Sequence, residues 1–350
     1  MVTPSPWWSR ERHADRRPFL IARNRIKAAI RRDFEEKGFI EVECAALQVS
    51  PGNETHLHAF ATDAVGANGE RTRCYLHTSP EFAAKKLLAA GERRIFDFAR
   101  VFRNREHAAL NVPEFTMLEW YRAHQPYDAV IGDCLRVMSI AATALGKNHL
   151  SYRDHKADLD MEPEWLTVAD AFGRYAAIDL LSTLTPEGES NREALAAEAA
   201  RAKIAFAADD NWSDIFSRIL VERVEPKLGF DRPTILDRYP RVEAALARPC
   251  PKDPRIAERF ELYVCGVELA NGFGELTDPV EQRKRFEQEM AEKERRYGER
   301  YPIDEELLAA LADMPPASGV AMGFDRLVML ATGAPHIEQV MWTPPAGRAL

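Results

Sequence analysis

At 350 residues and 46% hydrophobic content, the chain can bury a large core, as one large domain or one domain with an insertion, and wholesale disorder is excluded. A net charge of −8 argues against a surface that coats nucleic acid indiscriminately. No apolar run approaches membrane-spanning length, and the start, Met1 to Trp8, lacks the basic region and apolar stretch of a secretion signal, so a soluble, cytoplasmic protein is expected. The five cysteines are odd in number and form no Cys-x-x-Cys pair, which points to reduced core thiols rather than a disulfide framework or a zinc site.

Between Met1 and Arg32 nine basic residues face two acidic ones, a local balance of +7. This reads either as a solvated helix face or as a docking surface for an acidic partner or a phosphate backbone. From Pro18, the spacing Ala22, Ile26, Ile30, Phe34 predicts a helix that enters at Pro18 and stops near Gly38. Ile40 and Val42 alternate with Glu41 and Glu43 and read as a strand. Ser50 to Arg73 is a loop or hairpin, Cys74 to Thr78 a strand, and Ser79-Pro80-Glu81 leads into a helix through Leu88. Arg94 to Phe102 is strand-like. Residues 128–232 alternate helical runs, such as Asn191 to Lys203, with turn signals, and carry no recognisable chemistry. Pro279 to Arg300 is a helix, and the last ten residues form a loose tail.

The densest signal is Phe102-Arg103-Asn104-Arg105-Glu106 followed by Pro113-Glu114-Phe115-Thr116-Met117-Leu118-Glu119-Trp120-Tyr121. An apolar strand does not keep so many charges for packing alone; they call for a charged ligand. A second patch, Gly319 to Leu330, runs from small residues into Arg326 at the head of an apolar helix. Together these resemble motifs 2 and 3 of the class II aminoacyl-tRNA synthetases. A third segment, Glu261 to Leu276 followed by Asp278, Gln282, Arg285 and Phe286, is similar to the lysyl-tRNA synthetase branch. Members of that branch carry an anticodon-binding barrel ahead of the catalytic domain, whereas here motif-1-like sequence starts within the first few tens of residues. The layout resembles the stand-alone elongation factor P lysine ligases.

The resemblance implies an α+β fold, an antiparallel sheet flanked by helices, in a single catalytic domain over residues 1–350 with a helical insertion at about 128–232. It implies a homodimer built on motif 1, ATP and Mg2+ as cofactors, lysine or β-lysine as substrate, and elongation factor P as acceptor, without tRNA binding. Activation requires the amino-acid carboxylate to attack the α-phosphorus of ATP in line, so two anions must be brought together; arginine suits this through its planar, permanently charged fork. By resemblance, Arg103 bridges the α-phosphate and the amino-acid carboxylate. Arg326 reaches the γ-phosphate and covers one face of adenine, with Phe115 on the other. The nucleotide set comprises Arg103, Asn104, Arg105, Glu106, Asn111, Phe115, Glu268, Leu269, Gly323 and Arg326, and the metal-binding acids are Glu261 and Glu268. For the amino acid, Glu275 and Tyr121 meet the side-chain ammonium, Glu81 and Glu119 lie near the α-amino group with Ser79 and Pro80, and Asn271, Phe273 and Ala321 complete the pocket.

Three positions depart from the pattern. Arg105 stands where the family has a glutamate, which here follows as Glu106. Val112 stands where an asparagine commonly precedes Pro-Glu-Phe, with Asn111 one step earlier. Ala321 replaces a motif 3 glycine, a methyl that can shift selectivity by about 1–3 kcal/mol toward a differently shaped substrate such as β-lysine. A tRNA ligase of the same fold, and a non-catalytic paralogue acting as an amino-acid-binding regulator, are the alternative readings. There is no Gly-x-x-x-x-Gly-Lys phosphate loop, Gly-x-Ser-x-Gly elbow or His-Glu-x-x-His.

Overall fold

The computed structural model describes residues 6–345; the tail expected over the last ten residues lies in its second half outside them. In chain order the elements are α1 (Arg10–Glu36), β1 (Ile40–Glu41), β2 (Leu47–Gln48), β3 (Phe60–Val65), β4 (Arg71–Leu76), α2 (Glu81–Ala89), β5 (Arg94–Phe102), β6 (Glu114–Ala123) and α3 (Tyr127–Thr143). Next come β7 (His149–Tyr152), β8 (His155–Asp158), β9 (Glu164–Thr167), α4 (Val168–Ala176), α5 (Arg192–Arg201), α6 (Trp212–Ile219) and β10 (Thr234–Asp237). The last part holds β11 (Pro249–Cys250), β12 (Asp253–Ala257), β13 (Arg259–Val264), β14 (Val267–Gly274), α7 (Pro279–Tyr297), α8 (Glu305–Asp313), β15 (Ala317–Gly323) and α9 (Phe324–Thr332).

Eight strands form the principal sheet in the order β1-β5-β6-β15-β14-β13-β10-β9. Its interior pairs are antiparallel, and only the edge pairs β1/β5 and β9/β10 are parallel. Strand alternation divides its two faces. Phe96, Leu118, Trp120, Val320, Met322, Phe260 and Leu262 point into the main core, where they meet Ile26, Ile30 and Phe34 of α1, Val130 and Val137 of α3 and Leu327 of α9. The intervening residues face the other way and carry the polar chemistry. Register aligns Asp97, Glu119, Ala321, Asn271 and Glu261 across five strands in one row, with Tyr121, Gly319 and Phe273 in the next.

Helix α1 begins at Arg10, a full two turns before the Pro18 start that the pattern suggests. Ser9 caps it, its hydroxyl accepting from Arg12 N (3.4 Å). Pro18 sits inside, at a cost of about 3 kcal/mol, because tertiary contacts hold the first turns in place. Arg16 donates to the carbonyls of Glu338 (3.2 Å) and Met341, while Arg23 pairs with Asp325 and donates to Thr116 Oγ1 (2.9 Å). Both arginines are buried. They are structural, and neither the solvated-face nor the docking reading of the basic run describes them.

The stretch 128–232 contributes to more than one place. Helix α3 packs into the main core, the β7–β8 pair forms a small separate sheet, and β9 joins the edge of the principal sheet. Helices α4 to α6 build a second core in which Phe172 and Trp212 stack on Phe216 at 5.0 and 5.3 Å. Asn191 caps α5, as its spacing suggests. All five cysteines are free thiols.

Candidate active site

A cleft of about 670 Å³ opens over the polar face of the sheet, lined by Arg103, Glu106, Asn111, Phe115, Glu261, Glu268, Leu269, Asn271, Phe273, Ala321, Gly323 and Arg326. Chain positions from 103 to 326 converge there because β6, β15, β14 and β13 are neighbours. Asn104 and Arg105, expected on the nucleotide, do not line it. The backbone turns left-handed at Arg105 (φ 65°), so its guanidinium leaves the cleft, pairs with Glu299 and lies over the Tyr297 ring at 5.8 Å. Asn104 is bridged to His58, donating its N–H to that carbonyl at 2.6 Å. The same turn presents Glu106 to the cleft, where it accepts from Asn111 Nδ2 at 3.0 Å. The shifted glutamate and the shifted asparagine thus meet each other on the cleft wall.

Arg103 leaves the end of β5 with its Nε on the Thr78 carbonyl (3.2 Å) and its guanidinium over Phe115 at 5.4 Å. Arg326, in the first turn of α9, donates to the Glu268 carbonyl (2.7 Å) and to Asn111 Oδ1 (3.1 Å). Asp325 beside it is buried; one oxygen takes Arg23 and the other the Thr116 N–H at 2.7 Å. The start of α9 is therefore tied to α1 and β6, which fixes where Arg326 can point.

Ser79, Glu81, Glu119, Tyr121 and Glu275 come together over the same sheet face, with Pro80 leading into α2 beside them; they adjoin the cleft through Ala321, which pairs with Glu119 and Asn271. At their centre lies a residue that sequence reasoning missed. Lys85, 1% exposed, places its ammonium 2.6 Å from Glu81 and 2.8 Å from Glu275. Burial opposes its charge, but Glu275 and Glu81 more than reverse this and hold its pKa above the ordinary value. Glu119 accepts from Tyr121 Oη (2.6 Å) and Ser79 Oγ (2.7 Å), and burial with the neighbouring Glu81 charge pushes its pKa up to about 8. Gly319 is the only residue type that fits its place: a Cβ would run into the Tyr121 ring and come within 2.5 Å of Glu275 Oε1.

Glu261 and Glu268 stand on β13 and β14, joined by the tight turn at Cys265-Gly266. Glu261 accepts from Tyr239 Oη (2.6 Å), Tyr263 Oη (2.8 Å) and Arg259 (2.6 Å). Glu268 keeps 43% of its side-chain area open; confinement in the cleft and the Glu261 charge raise its pKa. The described residues include no cluster of three potential metal ligands, so an ion held here takes further oxygens from elsewhere. That suits magnesium, which is characteristically held by one or two carboxylates with substrate phosphates and water. Glu268, part-exposed beside the Glu261 charge and only loosely paired with Arg326 (3.8 Å), fits such an ion.

The missed residues had unequal signals. Lys85 lies four residues after Glu81 on one helix, a spacing that brings side chains together, and Arg259 precedes Glu261 by two on one strand and so shares its face. Nothing local links Lys85 to Glu275 or Asp325 to Arg23.

The profile of the family described as tRNA synthetases class II (D, K and N) matches residues 7–346. A Klebsiella pneumoniae subsp. pneumoniae protein named elongation factor P–(R)-β-lysine ligase is 39% identical over 326 residues, covering 93% of this chain and 94% of its own length. Proteins of the same name from Salmonella arizonae and Salmonella heidelberg are 39% and 40% identical, with the same coverage. The chain belongs to the class II tRNA synthetase family.

Proposed function

We propose that this protein uses ATP to activate lysine or β-lysine as the adenylate and transfers it to a lysine side chain of elongation factor P. The observation that carries the reading is an arginine-lined cleft adjoining a carboxyl-rich cluster on one sheet face: Arg103 and Arg326 line the cleft, and Glu81, Glu119 and Glu275 gather beside it. The relatives' names support the substrate and acceptor. Glu81 and Glu275 both pair with the ammonium of Lys85, and Glu119 is tied to Ser79 and Tyr121 beside them, so carboxyl groups outnumber the cation, which suits the ammonium groups of a lysine-type substrate and opposes an acidic one.

In this reading Arg103 holds the amino-acid carboxylate against the α-phosphate, and the carboxylate oxygen displaces pyrophosphate in line. Arg326 neutralises charge on the outer phosphates, Phe115 supports the adenine, and Glu106 with Asn111 meets its edge. Magnesium, held by Glu268 with Glu261, would supply further charge neutralisation at the phosphates. Ala321 sits between Glu119 and Asn271 in register, and its methyl narrows the floor in favour of β-lysine.

The protein would work in the cytoplasm as one catalytic domain; no helix among the described residues is long and apolar enough to cross a membrane. A homodimer through the motif-1 region is supported by Ile40, Leu47 and Val49, which leave about half of their surfaces to water. The acceptor is tested by offering radiolabelled lysine with ATP to elongation factor P and to tRNA separately. Label on the protein factor supports the reading, and label on tRNA alone contradicts it.

A further inference from the structure

Glu54 has no part in the activation step described above, yet it lines the same cleft. Among the described residues its carboxylate makes no hydrogen bond or ion pair. Neighbouring acids are engaged: Glu261 by two tyrosines and an arginine, and Glu289 by the N–H (2.9 Å) and hydroxyl of Thr55. The backbone around Glu54 is pinned. The ammonium of Lys293, on α7, donates to the carbonyls of Thr55 (2.9 Å) and Leu57 (2.7 Å), and Asn53 donates to the Pro302 carbonyl (3.2 Å). An unpartnered carboxylate on a clamped loop is preorganised rather than left over.

The charges that face Glu54 locate it: Glu81 from α2, Arg103 from the end of β5, Glu289 and the Lys293 ammonium from α7, and Arg259 from β13. Glu54 therefore lies within reach of both the amino-acid pocket and the arginine assigned to the α-phosphate, the place where the adenylate's carbonyl would be attacked. Burial, then the Glu81 charge, raises its pKa to about 7.

We propose that Glu54 is the general base of the transfer step, taking a proton from the acceptor lysine's ε-ammonium; the inference rests on the function proposed above. The acceptor arrives protonated, because a lysine amine has a pKa of about 10.4. One ammonium proton passes to the Glu54 carboxylate and frees the nitrogen lone pair. The nitrogen then bonds to the adenylate carbonyl carbon, and the carbon–oxygen bond to phosphate breaks. The electron pair leaves with AMP, whose phosphate oxygen takes the second nitrogen proton. The products are the amide, protonated Glu54 and AMP. A carboxylate in the ordinary range is a weak base for this task, and one poised near neutrality is a better one.

The test uses the full chain with Glu54→Gln, which keeps shape and removes the base. Amino-acid-dependent pyrophosphate exchange with lysine and β-lysine reads the first half-reaction, and single-turnover transfer to elongation factor P reads the second. Exchange should stay within about threefold of wild type, while transfer falls by about 10²–10⁴-fold and loses its ionisation near pH 7. Hydroxylamine, largely unprotonated at neutral pH, needs no base and should accept the amino acid equally well from both proteins. Transfer at the wild-type rate, or equal losses in exchange, transfer and hydroxylamine trapping, would overturn the inference. Absence of exchange in the wild-type protein would instead overturn the underlying function.

Discussion

Replacing Lys85 by methionine removes the cation that pairs with both Glu81 and Glu275. Methionine approximates the shape of the lysine stem, so the change is mainly electrostatic. Lys85 and Glu275 are each 1% exposed, and the ammonium lies 2.8 Å from Glu275 and 2.6 Å from Glu81. Removing one partner from such a buried pair costs about 3–5 kcal/mol, since the remaining charges cannot be hydrated. With an unfolding entropy of roughly 0.7 kcal/mol/K for a chain of this length, the melting temperature should fall by about 4–7 °C at pH 8. The sign of the pH effect follows from the acids left behind. Without Lys85 the folded-state pKa of Glu275, already pushed up by burial, rises further above the unfolded value. Its protonated form fits the fold, so the deficit should shrink at pH 6 and grow as pH rises. A substrate ammonium should take the vacated place, so lysine at 100 times its dissociation constant should restore about 2.7 kcal/mol in the variant. Differential scanning fluorimetry at pH 6 and 8, with and without lysine, reads all three effects. An unchanged melting temperature at pH 8, or a deficit that deepens on acidification, would show that Lys85 does not hold these buried acids in their charged form.

Three other outcomes follow from the same geometry. Because Glu119 is protonated below a pKa of about 8 and a bound ammonium favours its ionised form, the KM for lysine should rise as pH falls below 8, by up to tenfold per unit; Glu119→Gln should flatten that dependence in exchange assays. Asp325→Asn leaves Arg23 without its buried counter-ion and should cost about 3–5 kcal/mol, seen as a lower urea midpoint; an unchanged midpoint would remove Asp325 from the anchoring of α9. Gly319→Ala should raise the KM for the amino acid at least about tenfold, since Tyr121 and Glu275 are both buried and cannot make room for the methyl, while leaving the KM for ATP near wild type.

What was legible in the sequence was local. Alternation on β6 and β15, the small residues before Arg326, and the strand-turn-strand around Glu261 and Glu268 each declare themselves within a dozen residues, and the sheet then brings them together. The functions of Arg16 and Arg23 were not legible, because their partners lie about 300 residues away at Glu338, Met341 and Asp325. Composition shows a basic run; only the tertiary structure shows that two of its members are buried fasteners. Arg105 was misplaced for a different reason. A left-handed φ at a non-glycine residue has little sequence signature, and that one turn exchanges the cleft positions of Arg105 and Glu106. The acids gathered on the sheet face beside the cleft were named by resemblance, but Lys85 among them was not, since its pairing with Glu275 spans 190 residues.

Activation of a lysine-type amino acid in this cleft is read by amino-acid-dependent exchange of pyrophosphate into ATP, compared for lysine, β-lysine and aspartate with wild-type protein and Arg103→Ala. Exchange is expected with lysine or β-lysine, none with aspartate, and it should be lost in the variant. Exchange driven by aspartate, exchange that survives Arg103→Ala, or no exchange with any of the three would contradict that assignment.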